Sequence, residues 1–405
     1  MIPLHEALTH VDEHLTVLPA ESCPLEAALG LVVATVVRSP ETVPPFDNTA
    51  VDGFAVRAAD VQVVGTVLDV VGTVAAGSAG DVPVGDGQAV RIMTGAPVPP
   101  GADAIVMVED TAIVGGPGTG QVPRVRIDRV PVPGAAIRPR GDDLRPGDVL
   151  AESGTVLTAG HLGLLATAGV ARVDVVRRPR VGVLSTGDEL VQGGGPLRRG
   201  QIRDSNRLAL LALCRQSGFE AVDLGLVRDD ETLITDAIRD GAARCDALLT
   251  SGGVSMGDFD FVKAVLARIG DMRWMQVAIR PAKPFAFGTV DGVPVFGLPG
   301  NPVSSLVSFE LFARPGLRRM AGWTRTGRPR VRATAVGGLS RRPDGKVHFV
   351  RVRVTQDGDL GFQVESAGSQ GSHQMSAMAA ADGLAVLPDG SGVPAGGTVE
   401  VMLLS

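Results

Sequence analysis

Two stretches carry residue types suited to a charged ligand. The first reads Ser251-Gly252-Gly253-Val254-Ser255-Met256-Gly257-Asp258-Phe259-Asp260, after a short apolar run and ahead of a helical pattern over 261–269. A strand that breaks into Gly-Gly and feeds a helix offers bare backbone N–H groups at a positive dipole end, which is an anion seat. Asp258 and Asp260 beside such a seat suit a divalent cation such as Mg2+ that shares the anion. The same glycines also suit a plain tight turn, and the residues alone leave both readings open. The second stretch is Arg280-Pro281-Ala282-Lys283-Pro284. Its cations can hold a tetrahedral oxyanion through charge-assisted hydrogen bonds, or simply face solvent. Lys263, Lys283 and Lys346 are the only lysines in 405 residues, so Lys283 keeps a compact ammonium where arginine is the default.

Further candidates lie elsewhere. Ser185-Thr186-Gly187-Asp188-Glu189 follows an apolar run. Its hydroxyls and backbone can hold a phosphate or a polar ring edge, and Glu189 can serve as base or metal ligand. A helix start capped by Thr or Asp is the competing reading. Asp229-Asp230 is either a ligand pair or helix capping. His10-Val11-Asp12-Glu13-His14 matches H-x-x-E-H. Its helix is short and its apolar stripe implies docking, so a metalloprotease is set aside. Gly390-Ser391-Gly392-Val393-Pro394-Ala395 matches G-x-G-x-x-A but has a proline where a helix should begin, which argues against a dinucleotide fingerprint. The chain contains no G-x-x-x-x-G-K-[ST].

Elements that could position these residues follow from patterning. A length of 405 residues implies three or four domains. Apolar faces predict a helix over 3–18, a second helix over 21–30 and a strand over 31–37. Between 53 and 133 short β-branched runs (61–64, 66–74, 88–92, 104–108, 124–127) alternate with Gly/Pro turns, an all-β module with a glycine-rich tip at 115–120. Helix returns at 158–168, so the module is inserted into a first domain made from both flanks. From 179 onward strands (180–184, 221–227, 246–250, 293–298) alternate with helices (205–217, with Leu208, Leu211 and Leu213 inward; 229–243; 261–269; 303–320), which predicts a parallel sheet covered on both faces. Ligands of such sheets bind at the carboxyl ends of strands, where loops 185–189, 251–260 and 299–302 converge. After 323, runs at 331–336, 347–354, 362–364, 384–387 and 398–403 predict a terminal β-barrel or sandwich. The expected fold is thus multidomain α+β and α/β. It has a mixed N-terminal domain (1–45 plus 139–176), an inserted β module (46–138), a central three-layer α/β/α domain (177–323) and a C-terminal β-barrel (324–405).

Composition narrows the partners. The net charge is −6, with no basic tract, no tyrosine and two tryptophans, which argues against nucleic acid. No apolar run reaches membrane-spanning length, and the acidic N-terminus is unlike a signal peptide. Cys23, Cys214 and Cys245 lack metal-ligand spacing and fit buried thiols in a reducing cytoplasm.

Four long motifs carry a family resemblance: 185–190 (STGDEL), 250–258 (TSGGVSMGD), 280–288 (RPAKPFAFG) and 297–304 (GLPGNPVS). Together they resemble the MoeA/gephyrin E-domain family of molybdopterin molybdenumtransferases. Residues 48–55, 91–97, 138–147 and 366–388 extend the likeness in order over nearly the whole chain. The resemblance implies a molybdopterin-binding fold in the central domain and an elongated homodimer made through the N-terminal domain. It also implies the last step of molybdenum cofactor synthesis: Mg2+-dependent cleavage of adenylylated molybdopterin with molybdate, releasing AMP. A contact with the adenylyltransferase of the preceding step belongs to the same expectation.

By the same resemblance Ser185, Thr186, Gly187, Gly252, Gly253, Ser255, Pro299 and Asn301 hold pterin and phosphate, and Asp229, Asp258 and Asp260 serve metal and water. Arg280, Lys283, Ser304, Arg351 and Ser372 receive molybdate, while Asp52, Thr94, Asp142 and Glu189 complete the functional set with Asp229 and Asp260. Asp52 and Thr94 are expected to face the partner's cleft. Three departures stand out. Val51 and Phe54 replace Met and Tyr, Arg280-Pro281-Ala282-Lys283 replaces K-P-G-K, and Asp142-Asp143 doubles an acid, leaving open which one is functional. Competing readings are adenylyl transfer from ATP to molybdopterin, a non-catalytic dimeric scaffold, and tungstate in place of molybdate.

Overall fold

The computed structural model of the chain describes residues 1–115, 122–252, 261–358 and 361–404. Its central sheet has six strands in the order Glu220–Val227, Arg180–Thr186, Ala247–Ser251, Val293–Leu298, Pro284–Val290 and Gly270–Gln276. The first four are parallel, as the βαβ rhythm predicts. Pro284–Val290 runs antiparallel to both its neighbours, Val293–Leu298 and Gly270–Gln276, so the wholly parallel sheet is corrected to a mixed one. Gly270–Gln276 escapes a pattern reading because Asp271 and Arg273 interrupt its apolar signal and it follows helix Phe261–Ile269 without a break.

Side chains alternate across this sheet. Val181, Val183, Ala247 and Leu249 face Leu210, Leu211 and Cys214 of helix Asn206–Gln216 and Val303, Leu306 and Val307 of helix Pro302–Ser308. Leu184, Leu248 and Val295 face Ile234 and Ile238 of helix Glu231–Arg244 and Val262, Val265 and Leu266 of helix Phe261–Ile269. The result is the expected α/β/α sandwich. Leu208 is not inward as predicted; it is 69% exposed, and Leu210 and Cys214 take the core positions. The single helix expected over 303–320 is interrupted by a π turn, Phe309–Ala313, before Arg314–Met320.

The first helix is Leu4–Glu13, shorter than 3–18, and its Ala7 and Val11 pack into the central core rather than with the N-terminal domain. No helix forms over 21–30. Ala20–Pro24 is a strand paired antiparallel with Arg172–Val176, followed by a 3-10 turn, Leu25–Ala27. Cross-chain pairing overrides the local helical signal there. The strand expected over 31–37 divides into Val32–Val33 and Val37–Arg38. Helix Ala159–Thr167 forms as expected, capped by Thr158.

The inserted module is a six-stranded sheet: Ala104–Met107, Gly53–Val56, Gln88–Ile92, Thr66–Val74, Arg124–Ile127, Thr111–Ile113. The strand predicted at 61–64 is absent, with Val63 and Val64 exposed. Most of the glycine-rich tip, 116–120, lies outside the described residues. At the C-terminus five strands close into a barrel, because Val347–Asp357 pairs with both Gly361–Ser366 and Gly383–Leu387. Arg330–Ala335 and Gly397–Leu403 complete the ring. Gly392–Val393, inside the G-x-G-x-x-A match, pairs with Leu339–Ser340 and is β-structure.

Candidate active site

Three strand ends meet at one edge of the central sheet. Ser185 and Thr186 are not loop residues: they are the buried last residues of strand Arg180–Thr186. The chain then turns at Gly187, with φ +147°, and no helix follows. A Cβ on Gly187 would lie 2.6 Å from Oε2 of Glu189, so only glycine lets that carboxylate fold back over the turn. Asp188 N–H points at Oδ2 of Asp229, 3.4 Å away, and Arg228 pairs with Asp188 at 3.6 Å. Asp230, not Asp229, caps helix Glu231–Arg244, accepting from Thr232 and Leu233 N–H at 2.8 and 2.9 Å. Asp188, Glu189 and Asp229 therefore share one acidic rim.

Strand Ala247–Ser251 ends at Gly252, whose φ is +98° and whose N–H donates to the Leu298 carbonyl at 3.1 Å. A Cβ on Gly300 would lie 3.8 Å from the Gly252 Cα, so the two glycine turns face each other. Pro299 is buried. Asn301 is exposed and stands at the N-cap of helix Pro302–Ser308 without a side-chain cap bond. Gly253, Ser255, Asp258 and Asp260 lie outside the described residues.

Two residues that sequence reasoning passed over hold these ends together. Oδ1 of the buried Asp204 side chain accepts from Ser185 Oγ at 3.1 Å, and its Oδ2 from Arg207 Nε at 2.9 Å. Asn206 Nδ2 donates to Ser251 Oγ at 2.8 Å and to the Gly300 carbonyl at 2.7 Å. Their only signal was a polar run, Asp204-Ser205-Asn206-Arg207, at a helix start, which reads as ordinary capping.

The cationic end lies where the barrel meets the central domain. Ile279–Arg280 forms a parallel pairing with Val347–His348, so the barrel's sheet extends into the segment that carries Arg280 and the exposed Lys283. Arg351, on the same barrel strand, is wholly buried. Its Nη2 donates to the carbonyls of Ser369 and Gly371 at 2.8 and 3.2 Å. Nε and Nη1 find no partner among the described residues. Burial draws this guanidinium below its ordinary pKa, yet arginine stays charged. The adjoining Ser372 carbonyl accepts from Val303 N–H at 3.0 Å, which places Ser372 against the first turn of the helix that bears the buried Ser304. A buried cation with two idle donors at a helix N-terminus suits an oxyanion.

Asp52, Thr94 and Asp142 are not brought to this edge; among the described residues no hydrogen bond or ion pair joins them to it. Asp52 Oδ1 accepts from both Thr94 Oγ1 and Thr94 N–H at 2.7 Å. The hydroxyl bond first, then the backbone bond, hold its carboxyl below the usual carboxylate range. Thr94→Val removes the hydroxyl donor and keeps the N–H. The Asp52 titration midpoint, followed by carboxyl NMR, is expected to move upward toward its ordinary value; an unchanged midpoint would show that the hydroxyl does not bias it. Asp142 is exposed on the segment that leaves the module. His10 and His14 lie edge to face with ring centroids 4.4 Å apart and pack against Phe287. Among the described residues no group of three His, Cys, Asp or Glu is placed to hold a metal.

Comparison with known proteins gives the chain a family. Residues 2–169 match the MoeA N-terminal region (domains I and II), 182–319 a probable molybdopterin-binding domain, and 340–404 the MoeA C-terminal region (domain IV). The chain is 39% identical over 408 residues to the molybdopterin molybdenumtransferase of Haemophilus influenzae, covering 99% of this chain and 98% of that one. It is 39% identical over 376 residues to molybdopterin molybdenumtransferase 2 of Mycobacterium tuberculosis, covering 90% of each. A crystal structure of a molybdopterin biosynthesis MoeA protein from Pyrococcus horikoshii superposes with a TM-score of 0.82 at 32% identity, covering 100% of this chain and 99% of that one. On full-length identity, matched regions and shared architecture, this chain belongs to the MoeA family.

Proposed function

We propose that this chain inserts molybdenum from molybdate into adenylylated molybdopterin and releases AMP, forming molybdenum cofactor. The observation that carries the reading is Arg351, whose wholly buried guanidinium keeps two nitrogens without protein partners beside the helix turn of Ser304. Buried donors without protein partners are costly unless an anion completes them, which is the support for an oxyanion here. The names of the full-length relatives support the same reaction.

Each end of the cleft has its own task. Gly252 and Gly300 let backbone approach the phosphates closely, with Gly253 and Ser255 as the sequence's further contributors and Ser185, Thr186, Gly187, Pro299 and Asn301 framing pterin and phosphate. Arg351, Arg280 and Lys283 balance the charge of molybdate, with the hydroxyls of Ser304 and Ser372 orienting its oxygens. Mg2+ fits the acidic rim: Asp229 is not consumed by capping, and Mg2+ needs only one or two carboxylates when substrate phosphates supply the rest. Asp258 and Asp260 are its other candidate ligands, and when bound the ion offsets phosphate charge. Glu189, in the same rim, is the group proposed to move a proton.

The chain acts as a homodimer in which Asp52, Thr94 and Asp142 approach the partner's cleft; their separation from the strand ends within one protomer supports this. The adenylyltransferase of the preceding step is a further partner. The cytoplasm is the proposed compartment, supported by three buried free thiols. Among the described residues no helix is long and apolar enough to cross a membrane.

The test is coupling. Adenylylated molybdopterin with Mg2+ is expected to release AMP far faster with molybdate than without. Equal rates would remove the reading, and adenylate accumulating from ATP and molybdopterin would move the chain to the preceding step.

A further inference from the structure

We propose that Asn206 is a positioning residue for the phosphate-bearing end of the substrate, setting the gap between the glycine turns that close two adjacent strands. Its amide nitrogen is the link: 2.8 Å to Ser251 Oγ, at the end of Ala247–Ser251, and 2.7 Å to the Gly300 carbonyl, beyond Val293–Leu298. A carbonyl can only accept, which fixes the amide with its nitrogen toward Gly300. The residue is 8% exposed, so water does not replace these bonds. The turns it joins face each other closely, a Cβ on Gly300 lying 3.8 Å from the Gly252 Cα.

Two positions earlier Asp204 does the same for the third strand end, accepting from Ser185 Oγ at 3.1 Å while Arg207 N–H and Nε hold it at 3.2 and 2.9 Å. One helix start therefore braces all three strand ends. The parallel ladders stop at Thr186, Ser251 and Leu298, and the backbone bond from Gly252 N–H to the Leu298 carbonyl carries the pairing only one residue further. Beyond them Asn206 supplies side-chain bonds that span the turns. Asn206 need not touch substrate to act; it fixes the gap between the two turns that a phosphate approaches.

The inference rests on the proposed function for the identity of its ligand, an adenylyl phosphate, and its test separates the two. AMP binding to the full chain is read by calorimetry, turnover by AMP release with molybdate present, and the braces by amide hydrogen exchange at Gly252 and Ser305. Asn206→Ala is expected to raise the AMP Kd and the KM for adenylylated molybdopterin about tenfold, with kcat within about twofold of the parent. Asn206→Asp is expected to do worse, because a carboxylate then faces the Gly300 carbonyl. Ser251→Ala added to Asn206→Ala is expected to add nothing, since the bond between the two side chains is already lost. Exchange at Gly252 is expected to quicken by about tenfold in Asn206→Ala. Unchanged exchange, or an unchanged Kd with a lower Tm, overturns the positioning role. A parent protein that releases no AMP overturns the function instead, and the exchange comparison still decides Asn206.

Discussion

Replacing Arg351 with methionine is expected to abolish the stimulation of AMP release by molybdate, lowering the molybdate-dependent rate by about 10²–10³-fold. Methionine matches the length of the buried stem and removes all the donors. The loss is expected in molybdate binding and coupled turnover, while AMP binding, which depends on the strand ends, stays near the parent value. Nη2 also holds the Ser369 and Gly371 carbonyls, so methionine releases that loop as well. Arg351→Lys separates the two effects: it keeps the charge but not the planar fork, and is expected to raise half-saturating molybdate about tenfold with an unchanged Tm. Stimulation that survives in both variants would place molybdate elsewhere.

Such a prediction needed the structure as well as the sequence. The turns at Gly252 and Gly300 were legible as turns because glycine follows an apolar run there, while Gly253 to Asp260 lie outside the described residues. Arg280 and Lys283 were legible as cations in a lysine-poor chain. Arg351 was not: nothing local distinguishes it from the Arg353 two residues on, and only the family likeness marked it. Its reading as an anion site rests on burial by strands and a loop distant in sequence. Asp229 and Asp230 were likewise inseparable until helix geometry assigned the cap to Asp230. Asp204 and Asn206 were invisible for the opposite reason, since polar residues before an apolar helical run are the normal capping pattern. Elements failed where long-range pairing beats local preference. Ala20–Pro24 reads as helix and is held as strand by Arg172–Val176. Gly270–Gln276 lacks an apolar rhythm yet pairs through seven positions with Pro284–Val290.

The second large effect concerns Glu310, which fixes the barrel to the helix that begins at Ser304's turn. Its side chain is buried in the π turn Phe309–Ala313. Both carboxylate oxygens accept from Arg328, Oε2 from Nε at 2.8 Å and Oε1 from Nη2 at 2.9 Å, while Arg314 Nε stands 3.8 Å from Oε2. Arg328 immediately precedes barrel strand Arg330–Ala335, so this pair ties the two domains. The site is short of negative charge: burial first, then Arg318 and Arg328, pull Arg314 down to about 10. Removing the one carboxylate leaves buried guanidinium groups uncompensated, which costs about 3–5 kcal/mol. Glu310→Ala is therefore expected to lower the Tm of the central unit by roughly 10 °C, at a few degrees per kcal/mol. Glu310→Gln decides whether charge or shape is responsible. It preserves volume and one acceptor, yet is expected to cause most of the same loss, because the amide cannot neutralise Arg328 and presents N–H donors to it. Replacing Glu310 by Met together with Arg328 by Leu and Arg314 by Met is expected to recover much of the stability, since the two most buried guanidinium groups go with the carboxylate and the half-buried Arg318 keeps its stacking on Trp323. A Glu310→Gln protein that melts within about 1 °C of the parent would mean that packing of the π turn, rather than the ion pair, holds this junction.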